Sequence, residues 1–531
     1  MSDPSLKPSN PLSIDGETTD TPSASQGWSK ASRYLVFWLG PVLFVLLAFC
    51  LPPFDASRGN VLNAAAGITV WMALWWLTEV VPLAVTALLP VVLFPLFGVL
   101  PGGQVSQQYM NAIMFLFMGG FVLAISLEKW GLHRRFALYL ISHAGLHPAR
   151  VMLGFMVATA GLSMWISNTA ATLMMLPMAL AVIDQLRTVL APGVYKRFET
   201  SLLLSIAYAA SVGGMATLLG TPPNMIFVQI YQMEFPEALP MGFGKWLLFG
   251  LPIAMTLLAA FWAVLSAPLW HLPKQLFEQT RATLRTDLAA MGPMSGPQKR
   301  LMVIFVLTAL LWITRSDLSL GVVHLSGWGN WFTMWDAAGQ RQVPMINDGT
   351  IAMAAALLLF VLPSGGRCAA GGEETALMQW QDMKRFPWNI FLLLGGGFAL
   401  AEGLTASGLS AWVAHLVVEH SPLTAKGLIV SVCLMINFLT ELASNTASTQ
   451  MLMPVLATIS RQLHIDPLLL MIPATLCASC AFMMPVATAP NAIVFGTNRL
   501  RIKDMARYGL LFNFISVGII VGLTFLIEAL I

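Results

Sequence analysis

Charge is scarce in this chain. Lys, Arg, Asp and Glu supply 10% of its 531 residues, against about a quarter in a soluble domain. That excludes an ordinary soluble enzyme and a disordered protein. The charges nearly cancel, 28 basic against 25 acidic, for a net +3, so there is no excess of basic charge for a nucleic-acid binder. Five cysteines are too few for a disulfide framework. Eight histidines are scattered without HExxH or other ligand spacing, so no metal centre is expected. What the chain has is apolar surface, 57% hydrophobic residues with mean hydropathy +0.74. A dry bilayer explains both features, because charge is costly there and apolar surface is not.

Residues 1–33, rich in Ser, Thr, Pro and Asp, read as a disordered cytoplasmic tail. They lack the layout of a signal peptide, so the apolar run 34–51 is expected to remain as a span. Further runs fall near 62–82, 84–100, 111–128, 151–166, 170–186, 201–219, 246–270, 300–314, 349–363, 388–404, 427–443, 447–460, 467–487 and 508–530. Runs 151–166 and 170–186 meet at Ser167-Asn168-Thr169, and 427–443 and 447–460 meet at Ser444-Asn445-Thr446. Each pair reads as a re-entrant helical hairpin with its tip inside the membrane, where covering protein or a wet cavity must protect it. The alternative is two ordinary spans joined by a polar turn. The hairpin reading leaves eleven transmembrane helices in an all-α polytopic protein. With the N-terminus inside, the cytoplasmic segments hold 22 Lys and Arg and the outer ones six. This positive-inside bias puts the C-terminus outside.

The chain repeats itself at an offset of 277 residues. Phe121 meets Phe398, Gly131-Leu132 meets Gly408-Leu409, Ser163 meets Thr440, Ser167-Asn168-Thr169 meets Ser444-Asn445-Thr446, and Pro177 meets Pro454. Further on the offset falls to 267, where GTPPN (220–224) meets ATAPN (487–491). Five crossings separate the tripeptides. An odd number makes the repeat inverted, and inverted repeats with interrupted helices at mid-membrane are a transporter architecture.

Each half thus holds a hairpin tip and a proline-broken helix. Proline removes an N–H and clashes with the preceding turn, so carbonyls and amides are freed at the break. Carbonyl, hydroxyl and Asn oxygens suit a hard monovalent cation; amide ends, Thr hydroxyls and Asn NH2 groups suit a carboxylate. Ser163 with Ser167, and Thr440 with Ser444, are spaced to share a helix face and converge on one ion. The alternative is that these hydroxyls bond back to the preceding turn. There is no Lys or Arg in 151–186, 201–230, 427–460 or 467–498. A dianion there has no fixed cation to neutralise it, so bound cations must arrive with it. Obligatory ion coupling follows.

Other features weigh less. Cys477 and Cys480 spell CxxC within an apolar span, where packing is the expected role. Gly395-Gly396-Gly397 lacks phosphate-loop context and is expected to admit close helix packing. Glu402 and Glu441 could form a proton relay, but helix ends near the outer face are the expected positions, and Glu79 reads similarly. Trp328, Trp331 and Trp335 suggest an interfacial outer loop, and 273–299 a cytoplasmic linker with a surface helix.

In MWISNTAATLMMLP (164–177), GGMATLLGTPPN (213–224), ELASNTAS (441–448), MMPVATAPN (483–491) and WGLHRR (130–135) the chain resembles the divalent anion/sodium symporter (DASS) family. The resemblance extends over about 34–531. It implies a homodimeric elevator: scaffold parts 34–150 and 300–425, transport parts 151–272 and 426–531, with 273–299 linking them. It implies a first sodium site at Ser163, Ser167, Asn168 and Gly220 and a second at Thr440, Ala443, Asn445 and Ala487. Asn168-Thr169 and Asn445-Thr446 would hold the substrate carboxylates, closed by Thr221-Pro222 and Thr488-Ala489. Ala489 stands where the first copy has Pro222, so one wall differs in shape. The expectation is a bacterial inner-membrane carrier, not an enzyme, coupling Na+ entry to uptake of C4-dicarboxylates such as succinate, malate or fumarate, with Na+, substrate and lipid as its partners. A sodium-independent exchanger (tartrate or citrate against succinate), and citrate or sulfate as substrate, are the alternatives. A membrane enzyme lacks a catalytic constellation here, and a channel lacks pore-lining charge rings.

Overall fold

A computed structural model describes residues 29–54, 60–145, 147–187, 190–272, 278–320, 323–335, 342–367, 373–420 and 424–528. Most of the N-terminal tail therefore lies outside the described residues. The first part runs α1 (Lys30–Val45, continued by a π turn to Cys50), α2 (Asn60–Thr78), α3 (Leu83–Thr86), α4 (Leu89–Leu96), α5 (Gly102–Gln108), α6 (Ala112–Lys129) and α7 (Leu132–His143). The first site elements follow as α8 (Pro148–Ser163), α9 (Asn168–Leu186), α10 (Pro192–Met215), α11 (Pro222–Glu234) and α12 (Phe243–Ser266). Then come α13 (Glu278–Ala290), α14 (Gly296–Arg315), α15 (Asp348–Val361), α16 (Trp388–Ser407) and α17 (Leu409–His420). The chain closes with α18 (Ala425–Leu439), α19 (Asn445–Gln462), α20 (Pro467–Ala478), α21 (Ala489–Phe495) and α22 (Ile502–Glu528).

Among the described residues, eight helical stretches are long and apolar enough to cross a bilayer, Lys30–Cys50 the first and Ile502–Ile527 the last. The protein is a multi-pass, mostly helical membrane protein. Two sequence expectations are modified. The run 84–100 is not one continuous helix but two, α3 and α4, because Pro90 in the first turn of α4 has no N–H to donate back across the junction. The protein is also not purely helical. Among the described residues, three antiparallel two-stranded hairpins occur: β1 (Leu318–Leu320) with β2 (Val323–Leu325), β3 (Thr333–Trp335) with β4 (Gln342–Pro344), and β5 (Pro363–Arg367) with β6 (Glu373–Ala376). Their short polar and aromatic segments connect α14, α15 and α16, where backbone groups need partners that helices do not supply.

Glycines set how closely the helices approach. A Cβ on Gly119 of α6 would strike Ala352 of α15, and Cβ atoms on Gly395, Gly396 and Gly397 of α16 would strike Tyr109, Ala87 and Gln450. The Gly triplet therefore serves close packing, as its apolar context implies. In the first half α10 packs on both α8 and α9, and in the second α20 packs on both α18 and α19. The halves also interlock: α11 packs on α19 and α20, while α21 packs on α9 and α10. This crossed packing brings the two helix breaks together, with Cys480 Sγ 3.9 Å from Met215 Sδ.

Candidate functional site

The first tripeptide sits where a helix stops. α8 ends at Ser163, a turn occupies 164–167, and α9 begins at Asn168 with Ser167 as its N-cap, its hydroxyl oxygen accepting from the Ala170 amide at 3.2 Å. Ser163 is fully buried. Its Oγ lies 2.7 Å from the Ala210 carbonyl and 2.5 Å from Asn168 Oδ1. The outer atom of the Asn168 amide also lies 3.2 Å from the Ala210 oxygen and 3.3 Å from the Gly220 oxygen. Turned one way, the amide donates to these carbonyls; turned the other, its oxygen joins them in a nest of oxygens, the donor set a hard cation uses.

The second tripeptide repeats this arrangement. α18 ends at Leu439, and Thr440 Oγ1, fully buried, pairs with Asn445 Oδ1 and donates to the Ala478 carbonyl at 2.9 Å. Asn445 opens α19 with Ser444 as its cap residue. Thr172 and Thr449 likewise bond back to the carbonyls of Asn168 and Asn445, at 2.8 and 2.7 Å.

The expectation that Ser163 and Ser167 share a helix face, with Thr440 and Ser444 doing the same, is not met. Each helix ends before its tripeptide serine, so the i,i+4 geometry is absent and the two serines become caps. Convergence runs instead through Asn168 and Asn445, five residues on. Nor do Ser163 and Thr440 bond back to their own helices. Each reaches across the hairpin to the adjacent broken helix.

The breaks are held by side chains that the sequence reading gave no role. Asn224 is fully buried, and its Nδ2 donates to the carbonyls of Gly214 (3.1 Å) and Thr217 (2.7 Å). Asn491, also fully buried, donates to Ala481 and Met484, each at 3.1 Å. All three residues of the second set lie 267 beyond their counterparts, so the shared final Asn of GTPPN and ATAPN was the available signal. Thr217 adds a second tie, donating to the Met164 carbonyl at 2.5 Å and accepting from the Gly220 amide at 3.2 Å. Thr221 and Thr488 cap α11 and α21 in extended conformation, the latter accepting from the Asn491 amide at 3.3 Å. Thr221 and Gly220 are buried, while Thr169, Pro222, Thr446, Ala487, Thr488 and Ala489 are half-buried around the breaks; Ala443 is buried at the second tip.

Glu441 follows the end of α18, yet its side chain is not at a wetted rim. It is 3% exposed and turned into the second break, where Oε1 accepts from the amides of Phe482 (2.7 Å) and Met483 (2.9 Å) and Oε2 from Met484 (3.0 Å). Asn513 of α22 donates to Oε1 at 2.8 Å. Lys and Arg side chains are engaged elsewhere: Lys129 with Asp382, Lys196 with Glu199, Arg315 with Asp348, Arg461 with Glu234 and Arg499 with Asp184.

A family described as the sodium:sulfate symporter transmembrane region matches residues 35–529. The chain belongs to this family. It is 39% identical over 522 residues to a sodium-dependent dicarboxylate transporter, SdcS, of Staphylococcus saprophyticus, covering 94% of this chain and 95% of that one. It is 38% identical over 496 residues to the protein of that name from Staphylococcus aureus, covering 93% and 90%. These relatives are transporters, not enzymes, and so is this family member. Among solved structures, MtrF of Neisseria gonorrhoeae, described as illuminating a class of antimetabolite efflux pumps, aligns over 92% of this chain and 94% of its own with a TM-score of 0.52 at 10% identity. That likeness concerns the fold alone.

Proposed function

We propose that this protein is a secondary transporter coupling inward Na+ flow to uptake of C4-dicarboxylates such as succinate, malate or fumarate. The observation that carries the reading is the matched pair of oxygen nests, Ser163–Asn168–Ala210 and Thr440–Asn445–Ala478. Hydroxyl, carbonyl and amide oxygens that meet in this way suit sodium once the amide turns its oxygen inward. The first cation site takes Ser163, Ser167, Asn168 and the Gly220 carbonyl; the second takes Thr440, Ala443, Asn445 and Ala487. Asn168-Thr169 and Asn445-Thr446, at the starts of α9 and α19, hold one carboxylate each, and Thr221-Pro222 and Thr488-Ala489 close the walls.

The missing basic side chains explain the coupling. A helix end supplies about half a charge, which leaves a dianion under-neutralised until two sodium ions bind beside it. Without them the dianion is excluded; without the dianion two buried cations repel. The names of the staphylococcal relatives support both the ion and the substrate class. In this reading the halves form an inverted repeat with eleven crossings and two re-entrant hairpins. The parts 151–272 and 426–531 move as an elevator against 34–150 and 300–425 in a homodimer of the inner membrane, N-terminus inside and C-terminus outside. Uptake of labelled succinate into proteoliposomes, with and without a sodium gradient, is the test. A gradient should raise uptake at least tenfold; equal uptake in both conditions, or counterflow that ignores sodium, would replace the symporter by an exchanger.

A further inference from the structure

The two halves share the tripeptide bonds and the packing of α10 on α8 and α9 and of α20 on α18 and α19, so they can be compared position by position. At one place they differ in kind. In the second half five polar side chains surround the turn 479–484: Asn437, Glu441, Ser479, Asn513 and Ser516. All are 3% exposed or less. The 277 offset puts Ala160 and Met164 opposite Asn437 and Glu441, and the 267 offset puts Val212 opposite Ser479. For α22 the match comes from packing. A Cβ on Gly509 would strike the Phe482 carbonyl, and one on Gly250 the Met215 carbonyl, and Met215 and Phe482 are counterparts. Gly250 therefore corresponds to Gly509, which puts Ala254 and Leu257 opposite Asn513 and Ser516. Five polar positions in one half are all apolar in the other.

Burying polar groups costs free energy unless they are paired. Here they are not. Asn437 Oδ1, Ser479 Oγ and Asn513 Oδ1 are buried without a hydrogen-bond partner, and Ser516 Oγ meets only the weakly bonding Cys480 thiol. The donors beside them are already committed to one turn: Asn437 Nδ2 to the Cys480 carbonyl and Asn513 Nδ2 to Glu441, both at 2.8 Å. Ser479 lies in that turn, and Ser516 lies three residues beyond Asn513 on the same face of α22. The three elements, α18, α20 and α22, pack pairwise around it. The break also comes earlier in the second half: α10 runs on to Met215, while α20 stops at Ala478, the counterpart of Ser211, so the amides of 482–484 are open to Glu441. That accounts for Glu441 but not for the four oxygens beside it. Four uncharged oxygens beside a carboxylate that receives only N–H donors form the donor set of a hard monovalent cation.

We propose that Asn437, Ser479, Asn513 and Ser516, with the charge of Glu441, form a third sodium site, separate from the two nests at the tripeptides. This rests on the symporter reading above. It also completes a charge balance. Two sodium ions neutralise the dicarboxylate but leave the buried Glu441 carboxylate without a countercharge at the second break. A third ion balances that carboxylate in the loaded state, and the unloaded state returns with it unbalanced. One net positive charge then enters per cycle, so an inside-negative potential drives uptake.

The test is the coupling ratio of the full chain in proteoliposomes, from succinate uptake balanced against set sodium gradients with the potential clamped by potassium and valinomycin. The expected wild-type ratio is three sodium ions per succinate, with uptake raised several-fold at −60 mV or so, close to a tenfold bias per unit charge (about 2.3 kcal/mol per 100 mV). Asn437→Ala and Asn513→Ala install the residues that the first half carries at the matching positions. Each should lower the ratio to two and remove the response to potential while uptake still needs sodium. Ser516→Ala, the milder change, should do the same should either Asn variant fail to fold. A wild-type ratio of two without potential dependence overturns the third site and leaves the symporter intact, as does a ratio of three that survives these substitutions. A third charge carried by protons, read as external alkalinisation during uptake, overturns the sodium assignment. Sodium-independent uptake would instead remove the function on which the site rests.

Discussion

Ser163 Oγ lies 2.5 Å from Asn168 Oδ1 and 2.7 Å from the Ala210 carbonyl oxygen. A hydroxyl carries one proton and cannot donate to both. With the Asn168 amide turned so that its nitrogen donates to Ser163 Oγ the group is satisfied by hydrogen bonds, and with its oxygen turned in the same group offers its oxygens to a cation. Ser163→Ala and Thr440→Ala each remove one such oxygen. Each should raise the half-saturating sodium concentration roughly tenfold, about 1.4 kcal/mol, with Thr440→Ser close to wild type. A sodium titration of succinate uptake checks this, and unchanged titrations would remove both hydroxyls from the cation sites.

Gly214 has no room for a side chain. A Cβ there would sit 2.5 Å from Asn168 Oδ1 and 3.1 Å from the Gly220 carbonyl. Gly214→Ala should therefore abolish sodium-dependent uptake with the chain still inserted. Gly193 lies in the first turn of α10 with open space around its Cβ direction, and Gly193→Ala should leave uptake unchanged. Both are read by the same transport assay on matched protein amounts.

Asn224 and Asn491 each tie two or more carbonyls across a break that otherwise has no ladder. Replacing either with Ala leaves buried carbonyls unpaired and should cost about 1–3 kcal/mol. Replacement by Asp should be worse, because a carboxylate would face carbonyl oxygens. The denaturation midpoint in detergent reports the loss; an unshifted midpoint in both Ala variants would mean that the breaks hold themselves.

Glu234 closes α11 with its side chain 3% exposed and paired to Arg461, whose side chain is 46% exposed. Thr405 of α16 donates to the other carboxylate oxygen, and the Arg461 guanidinium lies over the Phe235 ring at 5.1 Å. Arg461→Ala leaves a buried carboxylate without its cation and should cost about 1–3 kcal/mol, less than for a wholly buried pair because Arg461 is half in solvent. Glu234→Gln in the same background should restore most of the loss. A thermal-shift comparison of the single and double variants decides whether burial of the charge is the cause.

Much of the site was legible before folding was considered. The tripeptides, the proline breaks and the 277 and 267 offsets are local strings. A proline fits the first turn of a helix, which is why α11 and α21 begin at the expected breaks, and the polar tripeptides mark the starts of α9 and α19. The helix-face reasoning about Ser167 and Ser444 failed because it assumed continuous helices through the tips. Glu441 was misread because an acid at a helix end looks the same whether that end meets water or a neighbouring turn.

Composition and motif alone determined that this chain is a membrane protein with two paired interruptions and no basic residue near them, because burial cost and proline sterics act residue by residue. Only the tertiary structure decided which oxygens meet. Ser163 and Ala210 are 47 residues apart in the chain, and Glu441 and Phe482 are 41 apart; such pairs form through helix packing, which no local pattern encodes. The contrast between Asn437, Asn513 and Ser516 and the apolar residues opposite them likewise became visible only once Gly250 and Gly509 were seen to make the same contact.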